Sequence, residues 1–177
     1  LDYAAMAASE LGNISDRRSY LLLEGLAGLP KLLMNNTGIN SGFMIPQYTS
    51  AALASENKTL CFPASVDSIP TSLGQEDHVS MGSISGRKAD RVVDNLEKIL
   101  AVELLCAAQA FDFRKPLKSS QILETVHDLI RKQIPHAEDD RIFADDLAVT
   151  RTLIANKEIM NTVQNASSEF NIDLIGS

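Results

Sequence analysis

The chain has 177 residues, 45% hydrophobic, 22% charged and 5% aromatic, with a formal net charge of −7. That apolar content is globular and excludes a disordered chain. The acidic balance argues against nucleic acid as a partner, because phosphate binding needs clustered Lys and Arg.

Hydrophobic periodicity is helical almost throughout. Residues 2–11 are Ala-rich, and the pattern resumes over 14–24 before Gly25, Gly28 and Pro30 break it. The Asn35–Gly42 stretch is turn chemistry. It predicts a helix capped by Asn40 or Ser41, with Pro46 in the first turn, running to about Lys58. From Cys61 to about Gly82 no clean period appears, and Pro63, Pro70 and Gly74 punctuate the run. An irregular loop of that length inside a domain is more often functional than idle. The strongest element follows, a helix capped by Ser83 or Ser85 and reaching Phe113. Its apolar positions Val92, Val93, Leu96, Ile99, Leu100 and Val102 fall at 3/4 spacing, and 99–113 is apolar nearly all round. Such a helix is enclosed on most sides, which favours burial in a larger assembly. Two amphipathic helices are expected over 119–134, capped by Ser119 or Ser120 and stopped by Pro135, and over 140–156. The last twenty residues are polar and poorly periodic. The expected class is all-α, an elongated helical bundle.

No run is apolar enough to span a membrane, since 32–55 is uncharged but broken by Asn35, Asn36, Asn40, Pro46 and Gln47. Cys61 and Cys106 are too few for a disulfide framework and read as reduced thiols in a cytoplasmic protein. The chain starts at Leu1 with no basic-then-apolar leader, so a longer parent is expected.

Gln75-Glu76-Asp77-His78 gathers two carboxylates and an imidazole in the irregular loop. Adjacent residues diverge, and no second His stands four positions on, so no metal site is expected. A carboxylate there could be desolvated for acid–base work, although spacing alone favours a solvated polar loop. Glu103 in the apolar helix is expected to be paired or to face a neighbouring subunit. Arg17-Arg18 and Arg87-Lys88 read as salt-bridge partners. His78, His127 and His136 follow no triad spacing.

Four ordered blocks then carry a specific resemblance. They are Asn40–Met44 (NSGFM), Ala51–Lys58 (AALASENK), Pro63–Ser72 (PASVDSIPTS) and Gln75–Gly82 (QEDHVSMG), with Ser15–Arg18 upstream and Ile99–Leu105 downstream. Together they resemble the C-terminal region of the aromatic amino acid lyase family, and within it the histidine-specific ammonia-lyases. Residues 1–114 are covered well, and 115–155 only by helical pattern. The resemblance implies a central bundle over 1–114 with an active-site loop at 61–82, and a C-terminal helical region over 115–177.

The resemblance also implies elimination of ammonia from L-histidine to give trans-urocanate, without metal. The family's electrophile is a methylidene-imidazolone group (MIO) made from an internal Ala-Ser-Gly triplet. None of the 177 residues form that triplet; the nearest strings are Asn40-Ser41-Gly42 and Ile84-Ser85-Gly86. The triplet, a catalytic tyrosine and a carboxylate-binding arginine are expected in a preceding part, so this chain alone is expected to be inactive. Met44 matches a pocket residue that is Met in the histidine enzymes and usually Lys in the phenylalanine and tyrosine lyases. Glu76 matches a substrate-facing glutamate where phenylalanine lyases carry Gln, and it is the expected catalytic and substrate-binding residue. A carboxylate there accepts from an imidazole N–H and discriminates against a phenyl ring, so an imidazole clamp is favoured over a base. Gln75 is the expected neighbour in substrate binding. The implied assembly is a homotetramer. The alternatives are a phenylalanine or tyrosine lyase, an aminomutase, or a non-catalytic oligomerisation module.

Overall fold

In a computed structural model, residues 1–174 are described. They form six α-helices and no β-strand. The helices are α1 (Asp2–Leu23), α2 (Met44–Leu60), α3 (Gly82–Asp112), α4 (Gln121–Gln133), α5 (Phe143–Ala155) and α6 (Glu158–Phe170). At 1.5 Å per residue α3 is about 45 Å long. It is the spine: α1, α2 and α5 lie along it, while α4 and α6 pair with each other beside it.

The small residues of α1 explain its close approach. Ala5, Ser9, Gly12, Ser15 and Ser19 are buried at helical spacing against α3. A Cβ on Gly12 would lie 3.2 Å from Ile99 Cδ1. Gly12 is therefore a contact point and not a break, and α1 runs unbroken through the gap between the two stretches read from the sequence.

One apolar core joins residues from most of the chain. Leu33, Met34, Phe43, Val102, Leu105, Cys106, Ile130, Ile134 and Leu153 are all at most 2% exposed within it. The rings of Phe43 and Phe143 meet there, 4.6 Å apart between centroids. Where α3 carries Glu103, Arg18 of α1 grips the carboxylate with both Nε and Nη2, so the paired reading of Glu103 holds. Arg17 instead lies over the Tyr20 ring.

The start of α2 differs from the expected Asn40 or Ser41 cap. The helix begins at Met44, and its preceding residue, Phe43, offers no side-chain cap. Asn40 is unavailable because its amide is committed to the backbone of Asp140 and to Asp139, about a hundred residues away in sequence. For the same reason α5 starts at Phe143 and not near 140. The cap expected from Ser83 or Ser85 is likewise absent: Met81 precedes α3, and the Ser85 hydroxyl donates to Asp2. Ser120 caps α4 as expected, accepting from Leu123 N at 3.3 Å.

The polar, poorly periodic C-terminal stretch is helical over most of its length. Residues 158–170 form α6, with Ile159, Val163 and Ala166 at 4/3 spacing toward the core. Intervening Asn, Gln and Ser dilute the pattern without erasing the stripe. The final three residues fall outside the described ones.

Burial of Leu153 on α5 against the spine sets a stability test. Leu153→Ala should destabilise the folded chain by about 2–5 kcal/mol, whereas the half-exposed Leu123→Ala should cost less than about 0.5. Urea denaturation followed by circular dichroism measures both.

Candidate functional site

The loop between α2 and α3 is fastened at its base. The Asp2 carboxylate accepts from Ser65 N at 2.8 Å and from Ser85 Oγ at 2.5 Å, tying α1, the loop and the first turn of α3 to one side chain. Hydrogen bonds from Ser65 and then Ser85 hold that carboxyl well below the usual range. Lys88 donates to the Phe62 carbonyl, and Val79 N donates to Ser68 Oγ at 2.9 Å.

At its tip the loop is strained. Thr71 and Glu76 exchange backbone bonds, N to O at 2.9 Å and 3.3 Å, closing a turn over Ser72, Leu73 and Gly74. All three have positive φ, at 53°, 57° and 86°. The left-handed region costs a non-glycine residue about 1–2 kcal/mol, so Ser72 and Leu73 are held there against preference. Strain of this kind collects at functional sites.

The turn presents Gln75, Glu76, Asp77 and His78 to solvent. Among the described residues, the side chains of Gln75 and Glu76 make no hydrogen bond, so their polar atoms are free to meet a ligand. Met44 stands on another element, half-buried as the first residue of α2. Gln75 and Glu76 thus stand side by side on the turn, and Met44 stands on a different element. Among the described residues no His, Cys, Asp and Glu side chains cluster as a metal site would require.

A second polar cluster escaped the sequence reading. Asp112, in the last turn of α3, accepts from His127 Nε2 at 3.0 Å, Arg131 Nε at 2.8 Å, His136 Nδ1 at 2.9 Å and Lys115 Nζ at 3.0 Å. The Asp112 carboxylate can only accept, so His136 Nδ1 carries the proton given to it. Ala137 N donates to Gln109 Oε1, and the Gln109 NH2 group shares its two hydrogens among Ala137 O at 2.9 Å, Leu33 O at 3.3 Å and His136 Nε2 at 3.3 Å. Phe111 stacks on His127, and Phe113 meets His136 edge-on. His136 lies in the connection after α4 and not in a helix. The only sequence signal was the four-residue spacing of His127 and Arg131, which puts both on one helix face. With three of its four donors supplied by α4 and the segment after it, the cluster is a latch between α3, α4 and the 134–137 segment.

Comparison with known proteins places this architecture. The sequence pattern described as aromatic amino acid lyase matches residues 1–132. The chain belongs to that family. It is 46% identical over 171 residues to a histidine ammonia-lyase of Natranaerobius thermophilus, covering 96% of this chain and 34% of that protein. It is 53% identical over 154 residues to one of Aliivibrio fischeri, covering 86% and 30%. The crystal structure of histidine ammonia-lyase from Trypanosoma cruzi superposes with a TM-score of 0.90 at 47% identity, covering 93% of this chain and 33% of that one. Tyrosine aminomutase from Streptomyces globisporus superposes at 0.89 with 35% identity, covering 93% and 32%. The chain spans about a third of the length of the curated relatives it matches.

The Asp112 latch carries a pH signature. Burial alone would raise its carboxyl, but the His136 and Lys115 hydrogen bonds and the Arg131 charge outweigh that and lower it to about 2. Stability from a depressed carboxyl is fully present above its ordinary value, 3.8, and is lost as pH falls through the folded one. Unfolding free energy should therefore decline between about pH 4 and pH 2, and Asp112→Asn should flatten that decline while lowering stability at pH 7. Denaturant titrations across that range measure both effects.

Proposed function

We propose that this chain is the C-terminal third of a histidine ammonia-lyase, an enzyme that eliminates ammonia from L-histidine to give trans-urocanate. The observation that carries the reading is the gap between backbone and sequence likeness. The histidine ammonia-lyase and tyrosine aminomutase structures fit the backbone almost equally, at 0.90 and 0.89, yet identity is 47% against 35%. The fold is common to several chemistries, so the side chains carry the substrate assignment, and they favour histidine.

The chain cannot supply the family's methylidene-imidazolone electrophile. It holds no Ala-Ser-Gly triplet, the amides of Ser41 and Gly42 are taken by Asp140, and Gly86 lies inside α3. That group belongs to a part of the parent outside these residues, and the isolated chain is inactive.

The segment's own contribution is recognition of the imidazole. The Glu76 carboxylate, exposed on a strained turn and with no hydrogen bond to its side chain among the described residues, accepts from the imidazole N–H of the substrate. A phenyl ring cannot satisfy it, and leaving such a group unpaired is costly. Met44 packs its thioether against the ring edge, and Gln75 flanks Glu76. In the parent, other copies of the chain in a cytoplasmic homotetramer cover the apolar surface that the helices leave bare here, such as Leu11, Tyr20 and Leu21 on α1.

Ultraviolet assay of the full-length parent with L-histidine, L-phenylalanine and L-tyrosine tests the reading. Urocanate from histidine alone is expected; cinnamate or coumarate would reassign the substrate and remove Met44 and Glu76 from the specificity argument. Glu76→Gln should lower kcat/KM for histidine at least about 100-fold with the fold intact, because the imidazole loses its charged acceptor.

A further inference from the structure

We propose that Asp140 is a positioning residue for substrate specificity, holding the Asn40–Gly42 turn and through it the place of Met44. The inference deepens the histidine ammonia-lyase reading and rests on it.

Met44 hangs directly on this turn. Its backbone N donates to Ser41 O at 3.3 Å, and it opens a helix whose preceding residue caps nothing. What fixes the turn comes from outside the helix. The two oxygens of Asp140 accept from Ser41 N and Gly42 N, each at 2.7 Å. Charge-assisted bonds to a carboxylate are roughly twice as strong as neutral ones, and a two-pronged grip fixes direction as well as distance. Asn40 completes it, donating to Asp139 Oδ1 at 3.0 Å and accepting from Asp140 N at 3.1 Å.

The turn has little freedom on its other side. Gly42 sits at φ 55°, where a Cβ would lie 2.5 Å from Leu32 O. Phe43 N donates to that same carbonyl at 3.1 Å. The turn is thus pressed between Leu32 and Asp140, and removing one jaw lets it shift.

Asp140 itself stands on a braced base. The neighbouring Arg141 donates to Asp146 and Pro135 O at 2.8 Å each and to His136 O at 3.3 Å. The Phe43 and Phe143 rings, in tilted contact, anchor the two segments independently of the carboxylate. Loss of the charge therefore loosens the turn without undocking α5. An error of about 1 Å in a substrate contact is enough to cost up to about a hundredfold in rate or affinity.

The test is a double-mutant cycle in the full-length parent, with urocanate formation and KM for L-histidine as readouts. Asp140→Asn should raise KM about tenfold while kcat changes less than about threefold, since ground-state packing is what is lost. In a Met44→Ala background the same change should add nothing, because the contact it positions is already gone. Asp140→Glu, which keeps the charge, should recover part of the loss. A merely structural aspartate would give additive effects in the two backgrounds. Unchanged KM in Asp140→Asn, or a full tenfold rise on top of Met44→Ala, overturns the proposal while wild-type urocanate formation leaves the parent reading standing. No urocanate from the wild type overturns both. Where Asp140→Asn does not fold by circular dichroism, Asn40→Ala, which removes the second tie, carries the same two expectations.

Discussion

Burial of α3 is the constraint on which the rest of the molecule depends. From Ile99 onward this helix is buried on most of its faces, with a partly exposed stripe left through Leu100, Leu104 and Ala107, so the other helices must lie against it or against something that does. The small-residue face of α1 answers that demand on one side, and α2 and α5 answer it on others. Most of the polar groups the spine carries then find partners. Glu103 takes Arg18, the Asn95 NH2 group takes Asn57 and Glu56, and Asp112 collects donors from four side chains. A buried polar atom without such partners would cost more than the contact it interrupts.

The same logic separates what the sequence discloses from what it hides. The α4 helix was legible end to end because its signals are local: Ser120 at the start, Pro135 beyond the end, and apolar residues at regular spacing between. The spine was legible for the same reason. Elements set by distant partners were not. Asn40 reads as a helix cap until its amide is seen committed to residues near 140, and the interval between 2–11 and 14–24 reads as a gap until Gly12 is seen against Ile99. The α6 helix was obscured by its own composition, with an apolar stripe too thin to stand out.

For the site, the division is sharper. Periodicity marked the 61–82 loop as unusual, and the described turn there is strained. The roles given to Met44, Gln75 and Glu76 came from resemblance and not from geometry, and their chemistry remains a proposal of function. The Asp112 cluster was illegible because the partners of Asp112 on α4 and the 134–137 segment stand 15 to 24 residues from it, which no pattern of spacing joins. The grip on Asn40–Gly42 spans nearly a hundred residues and was equally hidden.

The two thiols lie at opposite extremes of the structure. Cys61 sits half-buried at the root of the loop, its Sγ facing Ala5 O, while Cys106 is fully enclosed in the spine. Burial, and then the nearby Glu103 charge, pushes the Cys106 thiol far up, and an enclosed thiol that resists ionisation is inert toward electrophiles. The wild-type chain therefore already contains one chemical address beside the loop and a silent one in the core, so a reporter dye can be placed at the loop's root with no residue replaced.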